Sequence, residues 1–240
     1  MDRYDTDIFR KDLEELGIPL SERQLEQFLR YYEMLVEWNG RMNLTAITAY
    51  RDVLKKHFVD SLSLVKACDV NGAENLMDVG TGAGFPGLAL KIAFPGLSVT
   101  LLDSLNKRIQ FLEAVIEELG LEGVRTIHGR AEDSAKPGRL RECFDLCVSR
   151  AVANLSTLSE YCIPFVKKGG FFIAYKSENA LPEIQGAKAA LVALGGRVEN
   201  RVEFTLPHSD IYRSLFVIRK VERTPARYPR KAGLPSREPL

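Results

Sequence analysis

An α/β fold is predicted, with a mostly parallel sheet covered by helices on both faces and a helical segment ahead of it. Three observations predict it. From Asn75 onward, short apolar runs alternate with longer stretches of helical period, the pattern of parallel strands joined by crossover helices. A glycine cluster, Gly80-Thr-Gly-Ala-Gly84, follows the first apolar run at once, as at a tight strand-to-helix turn. The last two β-rich stretches have no helix between them, which predicts a closing hairpin that adds an antiparallel edge.

Residues 5–16 carry Ile8, Phe9, Leu13 and Leu16 at helical spacing, and Gly17 stops the pattern. Ser21-Glu-Arg-Gln24 is a capping box, with Leu20 and Leu25 placed as a hydrophobic staple. The helix it starts carries Leu25, Phe28, Leu29, Tyr32, Leu35 and Val36 as one stripe and is expected to end near Trp38-Asn-Gly40. Arg41 to Thr48 is a link without a strong period. Val53 to about Ala67 reads as a helix with His57, Asp60 and Ser61 on one face. Three residues on one helical turn do not reproduce a Ser-His-Asp triad. They either frame a ligand mouth from the N-terminal side or cap and bridge helices.

Five strands are expected at Leu76–Val79, Ser98–Asp103, Val124–His128, Phe144–Ser149 and Phe171–Tyr175, with a turn at Lys167–Gly170 before the last of them. Helices are expected over Asn106–Leu119, Leu155–Ile163 and Leu181–Leu194, the second stopped near Pro164. Arg197–Leu206 and Tyr212–Val221 form the hairpin. The domain reading is therefore a helical extension over 1–70, a sheet domain over 71–222 and a tail over 223–240.

That tail holds five basic residues, Arg223, Arg227, Arg230, Lys231 and Arg237, against one acid, Glu238, and four of the chain's eleven prolines. It is expected to be neither helix nor central strand. It reads as a solvated tail, as an extended basic arm that contacts phosphates and stacks Tyr228 on a base, or as a segment that packs on the sheet and stabilises it.

The glycine spacing alone is ambiguous. Gly80, Gly82 and Gly84 give G-x-G-x-G, while Gly82, Gly84 and Gly87 also satisfy the dinucleotide pattern. The acids sharpen it. Asp78 lies near the end of the first strand, two residues before the first glycine, Asp103 ends the second and suits a ribose diol, and Glu132 or Asp133 follows the third within reach of an adenine edge. Carboxylates at three successive strand ends suit a cationic, phosphate-free nucleoside and would repel a pyrophosphate. S-adenosylmethionine is such a ligand. The structural alternative is that these acids cap helices. The rival ligand is a nicotinamide dinucleotide, against which Pro86 removes a backbone N–H from the loop.

Composition sets the outer bounds. A net charge of +1 and 45% hydrophobic residues describe an ordinary globular chain whose nucleic-acid affinity must come from local patches. Cys68, Cys143, Cys147 and Cys162 have no C-x-x-C spacing, so no zinc or other metal site is expected. The charged N-terminus lacks the apolar core of a signal peptide, no run is long enough to cross a bilayer, and a cytoplasmic location is expected.

The loop Asp78-Val-Gly-Thr-Gly-Ala-Gly-Phe-Pro-Gly87 resembles the first motif of class I methyltransferases, and its Phe-Pro-Gly ending is narrower. Trp38-Asn-x3-Asn43-Leu-Thr, His57-Phe-Val-Asp-Ser-Leu62, Gly129-Arg-Ala-Glu132, Ser149-Arg-Ala-Val152 and Tyr228-Pro-Arg-Lys-Ala-Gly-x-Pro235 accompany it in order. Together they are similar to the small-subunit ribosomal RNA methyltransferase G family, also called glucose-inhibited division protein B. The resemblance implies a seven-stranded Rossmann-like sheet and S-adenosylmethionine-dependent methylation of guanine N7 in 16S ribosomal RNA, free or in a small-subunit precursor. Motif matching places the cofactor at Gly80, Phe85, Ala131, Glu132 and Arg150, beside Asp78, Gly82, Gly84 and Asp103. His57, Lys176, Arg227, Tyr228, Arg230 and Lys231 are the RNA candidates. Lys176-Ser177 stands where the family pattern leads one to expect Lys-Gly. No residue is assigned as acid or base. A non-catalytic RNA-binding assembly factor on the same fold is the remaining alternative.

Overall fold

The computed structural model describes residues 4–150, 153–177 and 181–240, so the first three residues, and Ala151 and Val152 of the Ser149–Val152 motif, lie outside it. The chain opens with α1 (Asp7–Glu15) and α2 (Glu22–Met42). The capping box forms as expected: Gln24 N–H donates to Ser21 Oγ, and Ser21 N–H donates back to Gln24 Oε1. α2 runs through Gly40 and ends only where Asn43 turns left-handed at φ 49°. A short turn α3 (Tyr50–Val53) then widens into a π-helix over Leu54–Val59 and narrows again through α4 (Asp60–Leu62).

The sheet strands are β1 (Asn75–Val79), β2 (Ser98–Asp103), β3 (Val124–His128), β4 (Phe144–Ser149), β5 (Val166–Lys176), β6 (Gly196–Thr205) and β7 (Tyr212–Lys220). Their order is β3-β2-β1-β4-β5-β7-β6, parallel from β3 to β5. The expected hairpin forms and adds the antiparallel edge. β7 inserts between β5 and β6 and is antiparallel to both, so the outermost strand is β6. The expected turn at Lys167–Gly170 is absorbed into β5. There the register against β4 jumps from Phe144↔Val166 to Leu146↔Phe171, a bulge that Gly169 permits at φ 92°.

The period of two along the strands sorts the core into two layers. Leu76, Val148 and Tyr175 face α1, α2, α5 (Gly87–Ala93) and α6 (Asn106–Glu118) in one apolar cluster with Phe9, Phe28 and Phe58. The helical extension therefore shares a core with the sheet. Met77, Cys147 and Ala174 face the other layer, built by α7 (Ala131–Ser134), α8 (Leu155–Cys162) and α9 (Leu181–Leu194).

The tail corrects a second expectation. It carries a short helix, α10 (Leu234–Arg237), and it packs on that second layer. Tyr228 is buried there, and the Arg230 side chain grips the buried Glu160 carboxylate through Nε at 3.0 Å and Nη2 at 2.6 Å. No described helix is long and apolar enough to cross a membrane.

Candidate active site

A cavity of about 600 Å³ opens at the carboxyl ends of β1, β2, β3 and β4. That is the ligand-binding end of an open parallel sheet. Its floor is the glycine loop. Gly80 and Gly82 take φ of 71° and 62°, so the backbone turns without a side chain above it. Three groups hold the loop. Asp78 lies beneath it, where Oδ2 accepts from Thr81 Oγ1 at 2.6 Å and from Gly87 N–H at 2.8 Å. Asp103 Oδ2 accepts from Gly82 N–H at 2.9 Å. From the extension, the Tyr31 hydroxyl donates to the Ala83 carbonyl.

Of the expected cofactor residues, Gly80, Gly82, Phe85, Asp103, Ala131, Glu132 and Arg150 all line the cavity. Asp78 and Gly84 do not. Asp78 is fully buried, and burial pushes its carboxyl up to about 6 although the Thr81 hydroxyl and Gly87 N–H favour the ionised form. Its Oδ1 has no hydrogen-bond partner. Gly84 faces the core, and a Cβ there would overlap the Tyr31 hydroxyl and the Leu88 side chain. Its role is close packing of loop on helix. Glu132 lines the cavity, yet its buried Oε1 already accepts from Gly233 N–H at 2.7 Å. That tie comes from the tail and competes with an adenine contact.

Over β4, the cavity wall is a cluster that the sequence only half suggested. The Phe85 ring is stacked on His57 at 4.5 Å and 11°, with Tyr31 on its other neighbourly contact at 5.3 Å. Arg150 lies over the same ring at 5.4 Å. The π-helix carries Lys56 and His57, and Asp60 follows it at the start of α4, so the Lys56 carbonyl, the His57 ring and the Asp60 carboxylate meet at Arg150. Arg150 donates from Nη1 to Lys56 O at 3.2 Å and to Asp60 Oδ2 at 2.9 Å, and from Nη2 to His57 Nδ1 at 3.2 Å. Arg213 closes the other side of Asp60, at 2.8 Å. Burial and then Arg150 push the His57 imidazole down to about 4, so it is neutral at pH 7.

Other RNA candidates stand away from this wall. Lys176 is the last residue of β5, not a residue beyond it. Its Nζ is held by Ala153 O at 2.6 Å and Glu183 at 2.7 Å. Tyr228 and Arg230 are packed as described. Arg227 and Lys231 remain exposed, Arg227 lying over the Tyr228 ring. Thr45 and Arg108, which sequence reasoning missed, both line the cavity. Arg108 was signalled by its position one turn into the helix after Asp103, and donates to Asp103 Oδ2 at 3.1 Å. Thr45 was signalled by the Asn43-Leu-Thr motif, though nothing in it named a role.

The cavity's fit to a ligand follows from donors and charge. N–H groups of Gly80 and Thr81 donate to Leu102 O, that of Gly82 to Asp103, those of Gly84 and Phe85 to Thr81 O, and that of Gly87 to Asp78. Pro86 has none. A pyrophosphate needs such N–H groups pointing outward, and it would meet the Asp103 carboxylate besides. An uncharged ribose and a cationic amino-acid end meet neither obstacle. The residues fit S-adenosylmethionine better than a dinucleotide. Among the described residues, no cluster of His, Cys, Asp or Glu is arranged to hold a metal ion.

Strand order, glycine loop and acid-ended β2 define a class I methyltransferase fold. M. jannaschii TYW2, solved in complex with AdoMet, shares that fold with a TM-score of 0.52 at 18% identity over 66% of this chain and 73% of its own. The chain belongs to the rRNA small subunit methyltransferase G family, whose model matches residues 24–212. It is 52% identical to the ribosomal RNA small subunit methyltransferase G of Lachnoclostridium phytofermentans over 98% of both chains. It is 50% identical to that of Bacillus subtilis strain 168 over 97% of both.

Proposed function

We propose that this protein methylates N7 of one guanine in 16S ribosomal RNA, free or within a small-subunit precursor in the cytoplasm, with S-adenosylmethionine as donor. The observation that carries the reading is the cavity itself: its loop donors are turned inward and its β2 end presents Asp103. The bound cofactor supplies an electrophilic sulfonium methyl.

What the chain's residues must do depends on the nucleophile. Guanine N7 has an in-plane lone pair and carries no proton, so its attack requires no general base. The polar groups of the wall agree with that. His57 Nδ1 is taken by Arg150, Asp60 lies between two arginines, Asp103 accepts from Gly82, Leu105 and Arg108, and Glu132 accepts from Gly233. Their task is placement. Asp103 and the backbone of Ala131 and Glu132 orient the nucleoside, and the Phe85, His57 and Arg150 stack forms a dry wall beside the β4 end. Such positioning supplies roughly 7–11 kcal/mol of barrier reduction when reacting atoms are held in line. Arg227 and Lys231, exposed on the tail, are the phosphate contacts this reading retains.

The test is incubation with labelled S-adenosylmethionine and ribosomal RNA from a strain lacking this gene, followed by mapping of the labelled nucleotide. One N7-methylguanine in 16S RNA is the expected result. Label on another atom or another RNA overturns the reading, and tight RNA binding without label supports an assembly factor instead.

A further inference from the structure

We propose that the Thr45 hydroxyl donates a hydrogen bond to O6 of the target guanine and so selects guanine over adenine. The proposal rests on the N7-methylation reading above and extends it to the neighbouring atom of the same base edge.

The contacts of Arg150 set the direction of the hydrogen bonds in this corner. Arginine has five donors and no acceptor. Arg150 Nη2 lies 3.2 Å from His57 Nδ1, so Nδ1 is the acceptor and carries no proton. Being neutral, the ring then carries its proton on Nε2. Nε2–H donates to Thr45 Oγ1 at 3.0 Å. The Ile47 N–H donates to the same oxygen, also at 3.0 Å. A hydroxyl accepts twice and donates once. Thr45 Oγ1 has both acceptor positions filled, so its own proton has to leave the cluster, and among the described residues it meets no acceptor. The backbone cannot swing away to change this, because Thr45 N–H is held by Asn39 Oδ1 at 2.8 Å. Thr45 lines the cavity with His57, Phe85 and Arg150. The outcome is a fixed donor without a partner, on the wall at the β4 end.

With ribose expected at the β2 end and adenine at β3, the β4 end is left for the methyl group and its acceptor. On the N7 edge guanine offers O6, an acceptor, where adenine offers an amino donor. A lone donor beside the reacting N7 pairs with guanine and meets adenine donor to donor. A site built to hydrogen-bond a substrate group rejects analogues that leave it unpaired.

The experiment uses full-length protein and 16S RNA ligated to carry either guanine or 2-aminopurine at the mapped target. 2-Aminopurine keeps N7 and the 2-amino group and lacks O6. The wild-type protein should lose about tenfold in kcat/KM on the 2-aminopurine RNA, the scale of one neutral hydrogen bond. Thr45→Val should lose about tenfold on guanine RNA and nothing further on 2-aminopurine RNA, while Thr45→Ser stays within about threefold of wild type on both. Calorimetry should give all three proteins the same affinity for S-adenosylhomocysteine. Equal wild-type rates on the two RNAs would overturn the contact whether or not the valine variant folds. Losses that multiply, with cofactor affinity unchanged, would overturn it too. Methylation of an atom other than N7 by the wild type would instead remove the underlying functional reading before any variant is compared.

Discussion

Arg230→Ala tests whether the basic tail is a folded part of the enzyme. The Glu160 side chain is 1% exposed and that of Arg230 is 20% exposed. One carboxylate accepts the Arg230 backbone N–H at 2.7 Å, Nε at 3.0 Å and Nη2 at 2.6 Å. Deleting the guanidinium leaves a charge buried among apolar side chains with a single backbone donor. Breaking a buried pair from one side costs roughly 3–5 kcal/mol. For a chain of this size that lowers Tm by about 6–20 °C, at 2–4 °C per kcal/mol. Replacing both partners, Arg230→Met with Glu160→Leu, should recover most of the loss, because no unpaired charge then remains. The assay is thermal unfolding followed by circular dichroism. A Tm within about 2 °C of wild type for Arg230→Ala would mean that the tail is not docked, and that its arginines are free for RNA.

Other outcomes follow from the site. Asp103→Ala should weaken S-adenosylhomocysteine binding by roughly 1.5–3 kcal/mol, and unchanged calorimetric affinity in a folded variant would remove Asp103 from the site. Single-turnover methyl transfer should show no required base between about pH 6 and 8.5, since His57 lies near 4; a tenfold-per-unit acid limb would indicate a required base. Asp78 is raised from 3.8 to about 6, so its neutral form favours folding below pH 4 and that contribution is lost as pH rises through 6. Asp78→Asn should therefore gain on wild type by up to about 3 kcal/mol between those values, and a urea-midpoint difference that does not vary with pH would refute it. Arg227→Ala with Lys231→Ala should flatten log K against log salt for RNA binding by about 1.4 without changing Tm; an unchanged slope would end their assignment to phosphates.

Parts of this molecule were legible in the residues and parts were not, for physical reasons. Alternation such as Leu76 against Met77 exposes strand faces, and local rules such as the Ser21 capping box need only four residues of context. Asp103 was legible because strand end, glycine loop and acid lie within one βαβ unit. The Arg150, Asp60 and Arg213 cluster was not, since its members lie 90 and 153 residues apart. The sequence could not choose between a basic arm and a packed tail for a related reason. Prolines and arginines have the same composition in a solvated arm as in a docked one. What decides is Glu160 on α8 and Glu132 on α7, whose buried carboxylates supply the missing partners. Gly84 and Asp78 were assigned to the ligand because a glycine motif does not say which glycine faces the cavity and which faces the core.

The parts added to the shared fold converge on one ring. The likeness to TYW2 covers 66% of the chain and is a likeness of fold. Tyr31 comes from the helical extension, and it both stacks near Phe85 and holds the Ala83 carbonyl. His57 comes from the π-helix and lies flat on the same ring, and Arg150 reaches it from the end of β4. From the far side the tail donates Gly233 N–H to Glu132 on the opposite lip of the cavity. A cradle alone fixes a cofactor. The stacked wall and the tie to Glu132 each depend on residues outside the sheet. Damage to the extension is therefore expected to reach the site directly through Thr45 and His57 as well as through Phe85, and damage to the tail through Glu132.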